Sequence, residues 1–442
     1  MKQLMFPDHP TYWFETVRSM SHIAYGGADF GEVLATAEQI TPGDPDSWHD
    51  AWRATADRLF HDAERALAGG HRISARDSYL RAWNYYRNAE FFLHGDPHDP
   101  RILDNYDRAT GAFGQYAALA GPHVLRPVRI PFEQAELPGY FYPSPLPGRR
   151  PLLLMHSGFD GSAEELHVQG ALAAQERGYH VLTFDGPGQP GTRHRHGLLF
   201  RPDWETVVGA AIDWALTVAD VDPQRIALLG VSLGGQLCLR AAAFEPRLAA
   251  VIAVDGIYDF GAAITSPFGE SEGDGEGEGD SESSGEGDSG EVEADAATVG
   301  ARLRADSAPD IDAALEQAAE ASDTVRWALA HGQYVMGGDT PRGFLAHTLD
   351  YHLRDGIAEA ITCPVLVCEA ENDLFFAGQP EQVYAHLTAE DKALMTFTEA
   401  EGADAHCHAG AQRYAVARIH EWLDERVHPE REGAPAAQPL SR

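Results

Sequence analysis

The sequence predicts an α/β fold in which a mostly parallel central sheet carries helices on both faces. Three observations lead to this fold class. Short apolar runs alternate with helical patterns over residues 151–254, and the same order resumes over 363–426. Because parallel strands need crossover connections, this alternation favours a sheet covered on both sides. The third observation is a helical, aromatic-rich first quarter of the chain, which predicts a separate domain.

We divide the chain into a helical N-terminal cap domain over residues 1–121 and a catalytic domain over 122–428, followed by a tail over 429–442. An insertion over 256–355 interrupts the strand-helix order. At the carboxyl edge of such a sheet, its helical stretches would form a lid over the site. Residues 269–295 alternate acidic residues with Gly and Ser, so we expect a disordered loop there and a disordered tail.

Composition narrows the class of partner. The formal charge of -35 leaves no basic stripe that could neutralise nucleic acid. The acidic composition of the chain fits either a high-GC genome or a salt-adapted cytoplasm. No run of about eighteen apolar residues exists and the first residues lack a signal-peptide core, so we expect a soluble, cytoplasmic protein with no membrane partner. The four cysteines have no metal spacing, which favours reduced thiols.

The motif Gly230-Val-Ser232-Leu-Gly234 predicts the nucleophile. It follows an apolar run that begins at Arg225 and precedes an Ala/Leu-rich helical pattern. A strand that turns sharply into a helix exposes the serine hydroxyl at the apex, and glycines are needed where the turn approaches its neighbours. The alternative is a structural turn, because the five-residue pattern alone is common in a glycine-rich chain.

Chain order predicts the partners of this serine. In a sheet of this type the order is serine, acid, histidine, each on a loop after a strand. Asp373 follows the seventh predicted strand and His406 follows the eighth. Asp255, after the sixth strand, is the second choice for the acid, and Asp185 is the third. His408 competes as the base.

A glycine-bearing loop predicts an oxyanion hole. His156-Ser-Gly-Phe-Asp-Gly161 directly follows a buried strand. We expect the backbone N–H groups of Phe159 and Leu233 to face the developing oxyanion, with an ordinary strand-to-helix turn as the alternative. No cofactor is implied, and no metal cluster is visible. His194 and His196 are spaced like two residues on the same face of a strand, but no convincing third ligand for a metal ion accompanies them.

These motifs together resemble an α/β-hydrolase family. The chain is similar to the group that contains the 2,6-dihydroxypseudooxynicotine hydrolases, the fungal pigment hydrolases that shorten a heptaketide, and FrsA-like proteins. The matching stretches, besides the helical N-terminal domain, are His156-Ser-Gly-Phe-Asp-Gly161, Phe184-Asp-Gly-Pro-Gly-Gln189, Gly230-Val-Ser-Leu-Gly-Gly235, Trp327-Ala-Leu-Ala-His-Gly332, Glu371-Asn-Asp373 and Glu401-Gly-Ala-Asp-Ala-His-Cys407. The acidic Gly/Glu/Ser segment departs from the family pattern.

The resemblance implies hydrolysis of a small-molecule substrate through an acyl-serine intermediate. It also supports His406 over His408, since the family's motif ending in His-Cys carries the catalytic histidine. The expected reaction is cleavage of a ketone C–C bond or an ester in a small aromatic or polyketide-like compound. A peptidase or acyltransferase with the same triad, and a non-catalytic FrsA-like regulatory or binding protein, are the alternatives. The chain could act as a homodimer.

Overall fold

The computed structural model describes residues 2–265 and 298–427. The predicted acidic loop over 269–295 and the predicted tail over 429–442 lie outside the described residues. Within the described part, no helix combines the length and apolar character that a bilayer crossing requires.

Residues 10–120 are mostly helical, and aromatic side chains of this segment pack against one another. Trp48 and Trp52 are fully buried, and Tyr12 stacks on Phe92 with ring centroids 4.4 Å apart. Aromatic pairs of this kind stabilise helix packing beyond the area that they bury. The helices are α1 (Pro10–Ser21), α2 (Phe30–Ala37), α3 (Pro45–Ala68), α4 (Arg72–Glu90) and α5 (Pro100–Ala120).

The rest of the chain is organised by one eight-stranded sheet. Its order is β1-β2-β4-β3-β5-β6-β7-β8. Strands β3 to β8 run parallel, while β1 and β2 form an antiparallel edge. The mostly parallel sheet is therefore confirmed. The strands are β1 (Arg126–Phe132), β2 (Ala135–Tyr142), β3 (Arg150–His156), β4 (His180–Phe184), β5 (Val221–Val231), β6 (Leu248–Val254), β7 (Val365–Ala370) and β8 (Lys392–Phe397).

Helices connect these strands and cover the sheet. Among the described residues, helices α10 to α13 lie between β6 and β7, where the insertion was predicted. The helices are α6 (Leu172–Glu176), α7 (Pro190–His196), α8 (Trp204–Ala215), α9 (Leu233–Phe244), α10 (Phe260–Thr265), α11 (Pro309–Ala321), α12 (Asp323–Met336), α13 (Pro341–Thr348), α14 (Gln379–His386) and α15 (Gln412–Val427).

One local expectation was wrong. His194 and His196, whose spacing suggested a strand, lie on helix α7. Pro190 occupies the first turn of this helix, and Gly197 ends it in the left-handed conformation with φ of 67°. This is the usual arrangement for proline and glycine at helix ends, and here it outweighs the two-residue spacing.

Candidate active site

The loop between β5 and α9 has the geometry of a nucleophile elbow. Ser232 adopts φ of 61°, a strained value for a residue with a side chain, and its N–H donates to the Val254 carbonyl at 2.9 Å. A Cβ at Gly230 would lie 1.9 Å from the Gly234 carbonyl oxygen. Glycine at position 230 is thus a steric requirement of the turn.

The predicted serine, histidine and acid lie in hydrogen-bonding contact. His406, on the turn after β8, has Nε2 2.9 Å from Ser232 Oγ, and its Nδ1 is 2.9 Å from Asp373 Oδ2. The competing histidine, His408, is buried with Nδ1 3.3 Å from the Ala403 carbonyl oxygen. The geometry therefore favours His406 as the partner of the serine.

Asp255, the second-choice acid, lies at the same site. Its Oδ2 is 2.9 Å from His406 Nδ1 and accepts the Cys407 N–H at 2.6 Å. Asp373, in turn, accepts the N–H of Phe375 at 2.7 Å through its other oxygen. Chain order therefore could not decide between the two acids, since both contact the same ring nitrogen. The third choice, Asp185, is separate: it accepts backbone N–H groups of Ala163 and Gly191.

The two carboxylates determine the charge of the imidazole. Burial on its own lowers the pKa of His406, but the negative charges of Asp373 and Asp255 outweigh it and hold the pKa well above its ordinary value. Burial likewise opposes ionisation of Asp255, and the neighbouring His406 cation lowers the pKa of that carboxyl below its usual range. The site is thus arranged to stabilise an imidazolium ion.

The two predicted oxyanion donors come from neighbouring segments. Leu233 is the first residue of α9, where backbone N–H groups have no acceptor within the helix. The loop after β3 lies against the elbow: a Cβ at Gly158 would be 2.6 Å from the Leu233 nitrogen. Phe159 follows in that loop, and its carbonyl oxygen accepts from His331 Nε2 at 3.0 Å. This hydrogen bond fixes the loop to α12.

A pocket opens onto Ser232 and holds about 830 Å³ of empty space, including the open solvent at its mouth. Its walls come from α1, from the loops at the carboxyl edge of the sheet, and from the insertion between β6 and β7. Most of the large side chains in these walls are aromatic, as for the apolar ligand sites of many proteins. They are Phe14, Phe159, Phe260, Trp327, Phe375 and Phe376.

A buried ionic cluster joins α1 to the loop after β3, and the sequence analysis missed it. Arg18 contacts Glu165 through Nε at 2.8 Å and Nη2 at 2.7 Å, Asp160 at 2.6 Å and Glu15 at 3.1 Å. Glu165 is fully buried, so these contacts are shielded from water. A signal was present in the sequence, since the charged or titratable residues Glu15, Arg18 and His22 recur at helical spacing.

One group of side chains has the composition of a metal site. Asp255, His406 and Cys407 have potential ligand atoms within 4.8 Å of one another, and no further such group occurs in the parts of the chain that the structure describes. Burial raises the pKa of the Cys407 thiol to about 12, so it stays protonated and is a poor ligand at neutral pH. His194 instead lies 3.4 Å from Glu90. All four cysteines are free, as expected.

Comparison with curated proteins finds relatives that match nearly the whole chain. Hydrolase LUC6 of a Fusarium species is 33% identical over 432 residues, covering 93% of this chain and 95% of the relative. The 20-hydroxy-prefusarin hydrolase FUS2 of Gibberella moniliformis is 34% identical over 428 residues, with the same coverage of 93% and 95%. Both homologues are named as hydrolases, and each is matched over nearly its whole length.

Solved structures and family models agree on the fold. The crystal structure of 2,6-dihydroxy-pseudo-oxynicotine hydrolase matches with a TM-score of 0.68 and 21% identity, covering 94% of this chain and 99% of that chain. AbyA5 matches with a TM-score of 0.57 and 17% identity, covering 90% and 94%. A family model described as X-Pro dipeptidyl-peptidase (S15 family) matches residues 140–399. The chain is therefore an α/β-hydrolase enzyme that belongs to the X-Pro dipeptidyl-peptidase (S15) family and is homologous to the fungal hydrolases.

Proposed function

We propose that this hydrolase uses Ser232 as its nucleophile and His406 as its general base and acid, with Asp373 as the acid of the triad. The proposed reaction is cleavage of a ketone C–C bond or an ester in a small aromatic or polyketide-like substrate. The observation that carries the proposal is the 2.9 Å contact between His406 Nε2 and Ser232 Oγ at the floor of an aromatic cavity.

The chemistry proceeds in two halves. Ser232 Oγ attacks the substrate carbonyl carbon while its proton passes to His406 Nε2, and the N–H groups of Phe159 and Leu233 stabilise the oxyanion. When the tetrahedral intermediate collapses, His406 returns the proton to the leaving atom, either an alcohol oxygen or the carbon next to the ketone. A water molecule, deprotonated by His406, then attacks the acyl-serine and releases a carboxylic acid.

The surroundings of His406 suit a carbon leaving group. Protonation of carbon requires that the leaving group stay beside the imidazolium, and Phe14, Phe375 and Phe376 lie around the ring at centroid distances of 5.9, 5.0 and 5.3 Å. Such walls would hold a flat leaving group at the ring. The relatives named as hydrolases of 20-hydroxy-prefusarin and 2,6-dihydroxy-pseudo-oxynicotine further support an organic small-molecule substrate.

A peptidase is the second candidate, because the matching family model is described as an X-Pro dipeptidyl-peptidase. A peptide amino terminus is a cation and needs a free carboxylate in the pocket. The carboxylates in the cavity wall, Glu15 and Asp160, both accept from Arg18. Both carboxylates already have a cationic partner, because Arg18 contacts each of them and Arg87 lies 3.5 Å from Glu15. We therefore rank a peptide substrate below a neutral aromatic one.

Labelling with a fluorophosphonate tests the nucleophile. We expect stoichiometric labelling of the native chain, its loss in Ser232→Ala, and its retention in Ser74→Ala, where an exposed helical serine serves as the matched control. Absence of labelling, or labelling that survives Ser232→Ala, would refute the proposal. A panel of aryl ketones, 1,3-diketones, aryl esters and Xaa-Pro anilides then separates the reaction classes.

A further inference from the structure

The loop after β3 carries one of the proposed oxyanion donors, but its own backbone does not fix how that donor points. The loop begins with Ser157 and Gly158, and a glycine has no Cβ to restrict rotation of the peptide groups on either side of it. The N–H of Phe159 belongs to the peptide group that follows Gly158. Its direction therefore has to be set by contacts from outside the loop.

Close packing against the elbow makes that direction important. A Cβ at Gly158 would lie 2.9 Å from Ser232 Cβ. From the other side, a Cβ at Gly234 would lie 2.7 Å from the Ser157 carbonyl oxygen. The two backbones are thus in contact, and a rotation of the loop peptides would displace the Phe159 N–H relative to Ser232.

Gln189, a fully buried residue, holds two carbonyl groups of this loop. Its Nε2 donates to the Ser157 carbonyl oxygen and lies 3.5 Å from the Gly158 carbonyl oxygen. Its Oε1 accepts the Gly186 N–H at 2.7 Å, so one orientation of the amide satisfies both of its ends. The side chain thus connects the turn after β4 to the loop after β3.

The backbone of Gln189 is held as firmly as its side chain. Its N–H donates to the Gly186 carbonyl at 3.1 Å, and its own carbonyl oxygen accepts the N–H groups of Thr192 and Arg193 at 3.1 and 2.8 Å. Gln189 directly precedes α7, at the position where a side chain often caps the helix, and it makes no such bond here. Its carboxamide contacts the loop instead.

His331, on α12, holds the next carbonyl of the loop. Its Nε2 lies 3.0 Å from the Phe159 carbonyl oxygen, and a carbonyl only accepts, so Nε2 carries the hydrogen. Burial lowers the pKa of His331 to about 3, so the ring is neutral and the contact is an uncharged hydrogen bond. The carbonyl groups of three consecutive residues, 157 to 159, are therefore held by two side chains.

The direction of the Phe159 N–H follows from these contacts. In a trans peptide group the C=O and N–H bonds point in opposite directions. The carbonyl of Gly158 faces Gln189, so the N–H of the same peptide group, that of Phe159, points away from Gln189. None of the described residues accepts this N–H in a hydrogen bond, and Phe159 lines the pocket together with Ser232. The N–H is therefore available to a substrate oxygen.

We propose that Gln189 and His331 are positioning residues for the oxyanion hole, holding the loop carbonyls so that the Phe159 N–H points at the oxyanion formed on attack by Ser232. This inference rests on the proposed function and adds the residues that orient one of its donors. Removing a donor from an oxyanion hole lowers kcat by roughly 10²–10³-fold, and a donor that is only displaced should cost less. The loss falls on the transition state, because the donor binds the oxyanion more strongly than the ground-state carbonyl.

Hydrolysis of 4-nitrophenyl butyrate tests the proposal. Gln189→Met keeps the length of the side chain and removes its hydrogen bonds, so we expect kcat to fall by roughly 10- to 100-fold while KM stays within about twofold. The matched control is Gln175→Met. Gln175 is also buried, and its Nε2 donates to the carbonyl groups of Val124 and Pro143 at 2.7 and 2.8 Å, but it is not among the described residues that line the pocket. Its kcat should stay within about twofold of wild type.

A pair of ketones separates positioning of the oxyanion hole from a general loss of structure. With 2,2,2-trifluoroacetophenone, Ser232 Oγ adds to the carbonyl carbon, its proton passes to His406, and the carbonyl oxygen becomes an oxyanion in the hole. Acetophenone has the same ring but lacks the fluorine atoms that favour addition. We expect Gln189→Met to weaken inhibition by the trifluoroketone by the same factor as kcat, and inhibition by acetophenone by less than about twofold.

His331→Leu is the second variant, and it decides the test if circular dichroism shows that Gln189→Met is unfolded. We expect the same pattern with a smaller loss of kcat, roughly 3- to 10-fold, because one of the held carbonyls is released. A folded variant of either residue with unchanged kcat would overturn the inference, and so would equal weakening of both ketones. Failure of the proposed function appears separately, as a wild type that neither hydrolyses the ester nor reacts with the fluorophosphonate.

Discussion

The carboxylates of Asp255 and Asp373 converge on one atom: each has Oδ2 2.9 Å from Nδ1 of His406. The Nδ1–H is hydrogen-bonded to Asp373, which follows β7, while Asp255, which follows the neighbouring strand β6, lies at the same distance as an ion-pair partner. Asp255 is the more deeply buried of the two and also adopts a left-handed φ of 64°. A strained, buried acid at this position is consistent with a positioning role.

The shared contact predicts that neither acid is indispensable alone. We expect Asp373→Asn and Asp255→Asn each to lower kcat by roughly 10- to 100-fold, because the remaining carboxylate still orients the ring. The double variant should lose roughly 10⁴-fold, far more than either. Steady-state kinetics on one aryl ester measures this. A single variant as inactive as the double one would show that one acid does all the orienting.

The charge of His406 predicts the acid limb of the pH profile. The base must be neutral to accept the serine proton, and its pKa is raised well above the ordinary value of about 6.5. The rise of kcat/KM with pH should therefore centre above pH 6.5 and move to lower pH in Asp255→Asn, which removes one of the stabilising charges. An unchanged limb in that variant would contradict the assignment.

The same shift links His406 to stability. The pKa of His406 is higher in the folded chain than in the unfolded chain, so protonation of His406 contributes to the free energy of unfolding. This contribution is fully present below about pH 6.5 and is lost as the pH rises through the folded pKa. We expect the melting temperature to decline over that range, and to decline less in His406→Gln. Thermal unfolding followed by circular dichroism at fixed ionic strength provides the comparison.

The ion pairs of Arg18 predict that contacts between helix α1 and the loop after β3 stabilise the fold. Arg18→Gln removes the guanidinium that pairs with the buried carboxylate of Glu165 and the partly buried carboxylate of Asp160, which should cost about 3–5 kcal/mol in the free energy of unfolding. Denaturant titration measures it. The control Arg65→Gln disrupts a largely exposed ion pair with Asp62 and should cost less than about 1 kcal/mol. Equal effects would rule out a special role for the buried cluster.

The sequence was sufficient to predict those parts of the fold and of the site that depend on local patterns of residues. The motif around Ser232 and the succession of strands and helices along the chain followed from glycine placement and apolar runs, because these patterns constrain the backbone directly. The choice between Asp255 and Asp373 did not follow, since both occupy strand ends at the same sheet edge. The cluster around Arg18 depends on how segments from distant parts of the chain pack together, which no local pattern specifies.

Trp327 lies in the wall of the pocket that opens onto Ser232, on the side formed by α12, which we call the roof. Its contacts lead to a prediction about substrate selection. It stacks on Phe91 at 4.6 Å, donates its indole N–H to the Phe91 carbonyl at 3.2 Å, and stacks on His331 at 5.5 Å. It thereby joins α12 to the N-terminal helices above the pocket. Trp327→Ala should lower kcat/KM for a large aryl substrate by roughly tenfold, because the ring that orients the substrate is gone.

The same variant should react with a small fluorophosphonate within about threefold of the wild-type rate, because the Ser232–His406 contact lies below the roof. Trp327→Phe keeps the stacking and loses only the indole N–H, so we expect an intermediate loss on the large substrate. If Trp327→Ala slowed both reactions equally, the indole would be supporting the elbow itself, and selection by the roof would have to be abandoned.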